Sequence, residues 1–111
     1  IAARYLAEMH NPAVTLPAEL PDCPPVGHIF AVRCADRNAL EKHLNARGIG
    51  TNKHYPTPIH LQGAYAELGL GRGALPLAEE ISATELSLPM FYGMTDAQVQ
   101  AVIDAVNEFE G

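Results

Sequence analysis

The side chains of this chain that could do chemistry are concentrated in residues 48–60. The stretch has the sequence Gly-Ile-Gly-Thr-Asn-Lys-His-Tyr-Pro-Thr-Pro-Ile-His, which includes two histidines, a lysine and a tyrosine. Each proline fixes its own φ angle and pushes the residue before it into extended geometry, so we predict a stiff, irregular strand and loop. Imidazole, ammonium and phenol groups held on such a backbone suit a polar binding pocket. A well-ordered loop with surface histidines is the alternative, and the residue types alone leave both open.

Other kinds of site have weaker support in the sequence. His54 and His60 are six positions apart, which does not match the i, i+4 pair of a helical zinc site, and no third ligand lies close by. The glycines of residues 69–73 resemble a nucleotide-binding loop only loosely, because no clear strand precedes them. No nucleophile, base and oxyanion hole can be assembled from these residues. We therefore predict no metal site and no catalytic residue in this chain.

The composition narrows the class of protein. The chain has 111 residues, of which 48% are hydrophobic and 18% charged, so it can bury the core of one domain. Its net charge of −6 leaves no basic stripe that could neutralise phosphates, which argues against nucleic-acid binding. No apolar run approaches the roughly 20 residues that a membrane span needs, so we expect no membrane association.

The start of the chain and its cysteines bear on where the protein works. The first residues lack the pattern of a signal peptide, so we expect a cytoplasmic protein. They also lack an initiator methionine, and we expect the chain to be a piece of something longer. Cys23 and Cys34 do not have the spacing of a metal site, and we expect two reduced thiols rather than a disulfide.

The pattern of apolar residues and prolines divides the chain into three parts. Residues 1–9 place Tyr5, Leu6 and Met9 on one helical face, which predicts the tail of an incoming helix. Residues 10–27 contain too many prolines for a helix, so we predict an extended connector. We expect residues 28–111 to form a single small α+β domain.

Within 28–111 the predicted elements alternate between helices and short strands. A strand at 28–34 is followed by a helix that Asp36 caps and Gly48 ends. The remaining elements are an extended segment at 49–55, a short helix at 62–68, a helix from Pro76 to about Glu85, a strand at 86–88, and a final helix that begins in a capping box at 95–98. This order predicts a small antiparallel or mixed sheet of about three strands, with helices packed on one face.

Taken together and in order, the motifs of this chain resemble the DegT/DnrJ/StrS aminotransferases, which are PLP-dependent enzymes that act on nucleotide-linked keto-sugars. The residues that carry the resemblance are Arg-Asn-Ala-Leu at 37–40, Leu-Asn-Ala-Arg-Gly-Ile-Gly-Thr at 44–51, His-Tyr-Pro-Thr-Pro-Ile-His-Leu-Gln at 54–62, Ala-Tyr at 64–65, Leu-Ser-Leu-Pro-Met at 86–90 and Thr-Asp at 95–96. The set covers nearly the whole chain. A sugar dehydratase of the same fold is a close relative that the motifs do not separate.

The resemblance implies that this chain is the small C-terminal domain alone. In that family the lysine that carries PLP lies in a large domain, and neither Lys42 nor Lys53 has a matching context here. We therefore expect PLP to be attached outside this chain, with none bound to the fragment and no transamination by it alone. The implied partners are the large PLP-binding domain of the same polypeptide, a nucleotide-sugar substrate and, for the full-length enzyme, a second subunit in a homodimer. Such enzymes commonly serve the biosynthesis of surface polysaccharides or antibiotic sugars.

The resemblance also implies which residues face the substrate. His54 is the expected contact, and its imidazole could donate a hydrogen bond to a phosphate or a sugar hydroxyl. Tyr55 would support it or line the pocket, and His60 is a weaker candidate. Asn52 and Lys53 depart from the residues common at those family positions, which makes them candidates for substrate preference. The alternatives are that His54 only caps its own loop and that His60 is structural.

Two further expectations concern the whole molecule. If a large domain normally covers part of this chain, apolar side chains should lie exposed on it, and we expect them at Tyr5, Leu6, Met9, Ile59 and Leu61. The alternative function is a free-standing small α+β module that binds a ligand or a partner without catalysis.

Overall fold

Three strands form an antiparallel sheet in the order β1–β2–β3. The computed structural model describes residues 1–23 and 25–111, and Pro24 of the predicted connector lies outside the described residues. The elements are α1 (Ala2–Glu8), β1 (Val14–Thr15), β2 (Phe30–Cys34), α2 (Arg37–Ala46), two 3₁₀ helices (Ile59–Leu61 and Gly63–Leu68), α3 (Pro76–Thr84), β3 (Glu85–Leu88) and α4 (Asp96–Asn107). The predicted α+β fold with a small sheet is confirmed.

The register of β2 against β3 gives the sheet two different faces. Phe30 lies opposite Leu88 and Val32 lies opposite Leu86, and all four side chains are buried in the apolar core. Because successive residues of a strand point to opposite sides, Glu85 and Ser87 must point away from that core. β3 therefore contributes its two leucines to packing and its two polar residues to the other face of the sheet.

The apolar core lies between the sheet and the helices α1, α2 and α4. Its buried side chains are Tyr5, Met9, Val14, Phe30, Val32, Cys34, Leu40, Leu44, Ile49, Leu86, Leu88, Val99, Val102, Ile103, Ala105, Val106 and Phe109. The last helix supplies five of them from its inner stripe, as the spacing of its valines and isoleucine predicts. Burial of the core on this side of the sheet holds β3, and so the polar residues behind it, in a fixed position.

The expectation that α1 carries exposed apolar residues is wrong. Tyr5 and Met9 are 0% and 6% exposed, and Leu6 packs half-buried against the core. The ring of Tyr5 meets Phe30 edge-on with centroids 5.0 Å apart, and its hydroxyl donates to the Pro89 carbonyl oxygen at 2.8 Å. The helix therefore closes the core within this chain. Ile59, by contrast, is 66% exposed as expected, while Leu61 is half-buried.

The helix ends follow the predicted capping. Asp36 Oδ1 accepts the backbone N–H of Ala39 at 3.0 Å at the start of α2, and Gly48 adopts a φ of +75° just beyond its end. Thr95 and Gln98 form the reciprocal capping box of α4. These local rules placed α2 and α4 correctly because each end is fixed by residues within one helical turn.

Several boundaries differ from the prediction. β2 begins at Phe30 rather than His28, and α3 ends at Thr84, so that Glu85 opens β3 instead of closing the helix. The connector contains β1, whose Val14 and Thr15 pair with Cys34 and Arg33. A strand of two residues among prolines has no alternation to detect, which is why the sequence did not reveal it. The short helix predicted at 62–68 is of the 3₁₀ type.

Among the described residues, no helix has both the length and the apolar character needed to cross a bilayer.

Candidate functional site

His54 lies at the edge of the sheet, beyond β3. The segment before it meets β3 at a single bridge, in which the Asn52 N–H donates to the Ser87 carbonyl at 3.1 Å and the Ser87 N–H donates to the Asn52 carbonyl at 2.8 Å. The structure has no strand in the segment predicted to be extended, 49–55, and this bridge is its one pairing with the sheet. It brings the backbone N–H of His54 to Glu85 Oε2 at 2.9 Å. The His54–Tyr55 peptide bond that follows is cis.

A polar network surrounds the imidazole of His54. Ser87 Oγ donates to Glu85 Oε1 at 2.5 Å and lies 2.8 Å from His54 Nδ1. On the other side of the ring, Asn52 Nδ2 lies 3.1 Å from His54 Nε2. Glu85 and Ser87 are each only 4% exposed, whereas His54 is half-buried and Asn52 exposed. The network therefore runs from the buried face of β3 outward to a rim that a ligand could reach.

Sequence reasoning placed Asn52 and His54 at the site but missed Glu85 and Ser87. The signal was present in the run Glu85-Leu86-Ser87-Leu88, because its strict alternation assigns the leucines to one face and the polar residues to the other. This alternation was not recognised because the predicted helix was extended through Glu85.

Lys53 points its charge toward another part of the chain. Its Nζ lies 2.5 Å from Glu41 Oε2 on α2, and both side chains are about one-quarter exposed. The chain's other lysine, Lys42, is exposed on the surface of α2. A Schiff base requires an amine that is free to attack an aldehyde, whereas the amine of Lys53 is paired with the carboxylate of Glu41. Lys53 therefore does not stand as a free amine in this structure.

His60 is not joined to the His54 network. It is 5% exposed, and its Nε2 lies 3.1 Å from Glu79 Oε1 at the start of α3. The same carboxylate accepts the backbone N–H groups of Gly73 at 2.8 Å and Leu75 at 3.4 Å. The hydrogen bond from His60 is the main cause that lowers the pKa of Glu79, and the two backbone donors act in the same direction. Within this chain His60 fastens the segment around residue 60 to α3.

Tyr55 marks the passage from the polar rim to an apolar groove. Its side chain is 70% exposed, and its ring stands edge-on to the ring of His54 with centroids 5.6 Å apart. The groove that it helps to line has a volume of about 530 Å³. Other apolar residues that line the groove are Ile59, Leu68, Leu70, Leu75, Ala78 and Ile81. The site thus has a polar end at His54 and an open apolar surface next to it.

The chain is a small α+β domain with a three-stranded antiparallel sheet. The candidate site around His54 lies at the edge of that sheet. The model of the DegT/DnrJ/EryC1/StrS aminotransferase family matches residues 1–107. The chain belongs to that family, which confirms the resemblance seen in the motifs. Aminotransferases of this family depend on PLP.

Two curated relatives show what kind of enzyme the chain is similar to. The dTDP-3-amino-3,4,6-trideoxy-alpha-D-glucose transaminase of Streptomyces venezuelae is 44% identical over 110 residues, which cover 98% of this chain and 29% of that protein. The dTDP-3-amino-3,6-dideoxy-alpha-D-galactopyranose transaminase of Aneurinibacillus thermoaerophilus is 38% identical over 109 residues, which cover 98% of this chain and 30% of that protein. The chain therefore spans less than a third of the length of these relatives.

Solved structures agree with the fold. The crystal structure of S. venezuelae DesV in complex with a ketimine intermediate has a TM-score of 0.92 and 45% identity, and the match covers 96% of this chain and 29% of that one. An aminotransferase of the same family from Brucella abortus has a TM-score of 0.87 at 28% identity, with 99% and 29% covered. The predicted architecture is thus that of an aminotransferase segment.

Proposed function

We propose that this chain is the small C-terminal domain of a PLP-dependent aminotransferase that acts on a nucleotide-linked keto-sugar. The family assignment supports the reaction class, and the dTDP-sugar transaminases among the relatives support the substrate class. The single observation that carries the proposal is the His54 rim, where a tethered imidazole stands at the surface next to an uncovered groove. This arrangement suits a domain that supplies one wall of a cleft.

In this proposal PLP is attached outside this chain, where it supplies the electron sink for amino transfer. The large domain of the same polypeptide covers the apolar groove. The residues of this chain bind and orient the sugar nucleotide and exclude water when the domains close. His54 contacts the substrate, while Asn52 and Tyr55 flank it on the polar and the apolar side. Lys53, whose ammonium is paired with Glu41, shapes the rim rather than offering a free charge.

The experiment that tests the proposal is steady-state kinetics of the full-length protein with a dTDP-linked keto-sugar. His54→Ala should raise KM about tenfold, the size expected for one lost hydrogen bond to the substrate. His28→Ala is the matched control, because His28 is an exposed histidine at the far end of the strand region. It should leave KM unchanged.

Two results would overturn the proposal. A full-length protein that transfers no amino group to any nucleotide-linked keto-sugar would favour a binding module without catalysis. Equal KM values for His54→Ala, His28→Ala and the parent would remove His54 from the substrate cleft. Thermal unfolding of each variant shows whether a change in KM reflects loss of the fold.

A further inference from the structure

We propose that Glu85 and Ser87 are positioning residues that hold the neutral His54 ring with its proton on Nδ1, so that Nε2 faces the rim as a hydrogen-bond acceptor. The role of this acceptor in substrate binding rests on the proposed function above. The positioning itself rests only on the contacts of this chain.

The direction of each hydrogen bond follows from counting protons. A serine hydroxyl has a single proton to donate. Ser87 Oγ gives that proton to Glu85 Oε1 at 2.5 Å. Toward His54 Nδ1, which is 2.8 Å away, Ser87 can therefore only accept. The ring must place its proton on Nδ1, and Nε2 keeps its lone pair.

The contact at Nε2, on the other side of the ring, independently indicates the same tautomer. Asn52 Oδ1 accepts the backbone N–H of Lys53 at 2.8 Å, which fixes the orientation of the side-chain amide. Its Nδ2 is then the atom that faces His54 Nε2, at 3.1 Å. An amide nitrogen only donates, so Nε2 must accept. Both ends of the network select the same tautomer.

The burial of Glu85 supports a dedicated role. Its side chain is almost completely buried, and among residues 1–23 and 25–111 no lysine or arginine forms an ion pair with it. Its Oε2 accepts the His54 backbone N–H and its Oε1 accepts the Ser87 hydroxyl. Burying a carboxylate is costly unless its oxygens are hydrogen-bonded. Here both oxygens are satisfied by groups that place His54.

The tautomer determines which substrate group His54 can bind. A sugar hydroxyl or amine has a proton to give to Nε2, whereas an ionised phosphate oxygen has none. The geometry therefore points to the sugar, rather than the diphosphate, as the part of the nucleotide sugar that meets His54. The amide of Asn52 would be displaced by that group.

Nitrogen-15 NMR of the imidazole tests the positioning directly, because the two tautomers give distinct shifts for Nδ1 and Nε2. In the 111-residue chain, at a pH high enough for a neutral ring, Nδ1 of His54 should carry the proton. Ser87→Ala should move the tautomer ratio about tenfold toward Nε2–H, the effect of one lost hydrogen bond. Ser87→Thr keeps a hydroxyl and should restore the ratio. A parent ring with its proton on Nε2, or an unchanged ratio in Ser87→Ala, would overturn the inference.

Substitution of Glu85 provides a second test of the positioning. Glu85→Gln should weaken the preference for Nδ1–H, while Glu67→Gln, an exposed glutamate on the 3₁₀ helix, should leave it unchanged. If Glu85→Gln fails to fold, the pair Ser87→Ala and Ser87→Thr still decides the matter. Equal tautomer ratios in a folded Glu85→Gln and the parent would remove Glu85 from the positioning role.

Kinetics of the full-length protein separates this inference from the proposed function. Ser87→Ala should raise KM in the same direction as His54→Ala, and Ser87→Thr should lower it again. If the NMR result holds but neither Ser87→Ala nor His54→Ala changes KM, the substrate role fails and the positioning stands. If His54→Ala raises KM but the parent ring carries its proton on Nε2, the positioning fails and the proposed function stands.

Discussion

The apolar side chains of the core are buried, whereas most of those in the segment 55–82, which we call the lobe, are exposed. The buried apolar cluster contains no residue of the lobe. The one buried residue of the lobe is the polar His60, while all of its large apolar side chains except the half-buried Leu61 are 41% to 70% exposed. These are Tyr55, Ile59, Tyr65, Leu68, Leu70, Leu75, Leu77 and Ile81.

Polar contacts join the lobe to β2 and α2. Arg33 on β2 pairs with Glu80, and Arg37 on α2 donates to the Ser82 carbonyl at 3.0 Å. Just beyond the lobe, Arg33 also donates to Thr84 Oγ1 at 3.1 Å. Directional bonds order a segment without burying its apolar side chains. The core therefore stabilises the domain, whereas the lobe presents most of its apolar side chains at the surface.

Truncation of a leucine in each region should give the largest contrast. Leu40→Ala removes a side chain that is 0% exposed and should lower the free energy of unfolding by about 2–5 kcal/mol. Leu77→Ala, on α3 and 64% exposed, should change it by no more than about 0.5 kcal/mol. Chemical denaturation of the two variants measures both. Equal losses would mean that the lobe is part of the folded core and would break the comparison.

Substitution of Asn11 should cause the next largest loss of stability, because its side chain joins the connector to the end of α4. Its Nδ2 donates to the carbonyls of Val106 at 2.8 Å and Phe109 at 2.7 Å, and its Oδ1 accepts the Ala13 N–H at 2.9 Å. Asn11→Ala removes these three hydrogen bonds and should cost about 1–3 kcal/mol. Asn45→Ala, at an exposed position on α2, is the control. A loss no greater than that of the control in urea unfolding would contradict the prediction.

The capping box of α4 should contribute less. Thr95→Ala removes the acceptor of the Gln98 N–H, at 3.2 Å, and should cost about 1 kcal/mol. Thr95→Ser keeps the oxygen and should retain most of the stability. Thr57→Ala, at an exposed threonine of the lobe, should have almost no effect in the same thermal unfolding measurement. A cost for Thr57→Ala that matches Thr95→Ala would show cooperative packing in the lobe.

As the pH falls, amide protection should be lost in the lobe before it is lost in α4. This is the smallest of the expected effects. The lowered pKa of Glu79, caused mainly by the hydrogen bond from His60, means that the folded state favours the ionised carboxylate. Its contribution is therefore present above the ordinary glutamate pKa and is lost as the pH falls through the lowered value. Protection of the Gly73 amide, which donates to Glu79, should fall over that range while α4 stays protected. The same pH dependence in Glu79→Gln would exclude this carboxylate as the cause.

How far the sequence predicted this molecule depends on the range of the interactions involved. Asp36, Gly48 and Thr95 act within one helical turn, so their roles followed from local rules. β1 and the bridge from Asn52 to Ser87 depend on partners far along the chain, and no local pattern contains that information. The burial of Tyr5 likewise depends on Phe30 and Pro89, which the sequence could not place beside it.

The candidate site also combines residues that local sequence patterns indicated with residues that they could not indicate. The stiff segment around His54 was recognisable from its prolines, glycines and polar groups. Glu85 and Ser87 lie more than thirty positions further along, and only the observed register turns them toward the histidine. The pairing of Lys53 with Glu41 and of His60 with Glu79 was also outside what composition and spacing could predict.

Hydrogen exchange of residues 52–82, which comprise the segment around His54 and the lobe, is the most direct test of the central claim that these residues complete a larger protein's cleft. The exchange is compared between the 111-residue chain and the full-length protein. The account predicts that the amides of residues 52–82 become more protected in the full-length protein, with a further increase at residues 52–55 when a nucleotide-linked sugar binds. Amides of α4, already within the core, should change little. Equal exchange of residues 52–82 in both proteins would contradict the account.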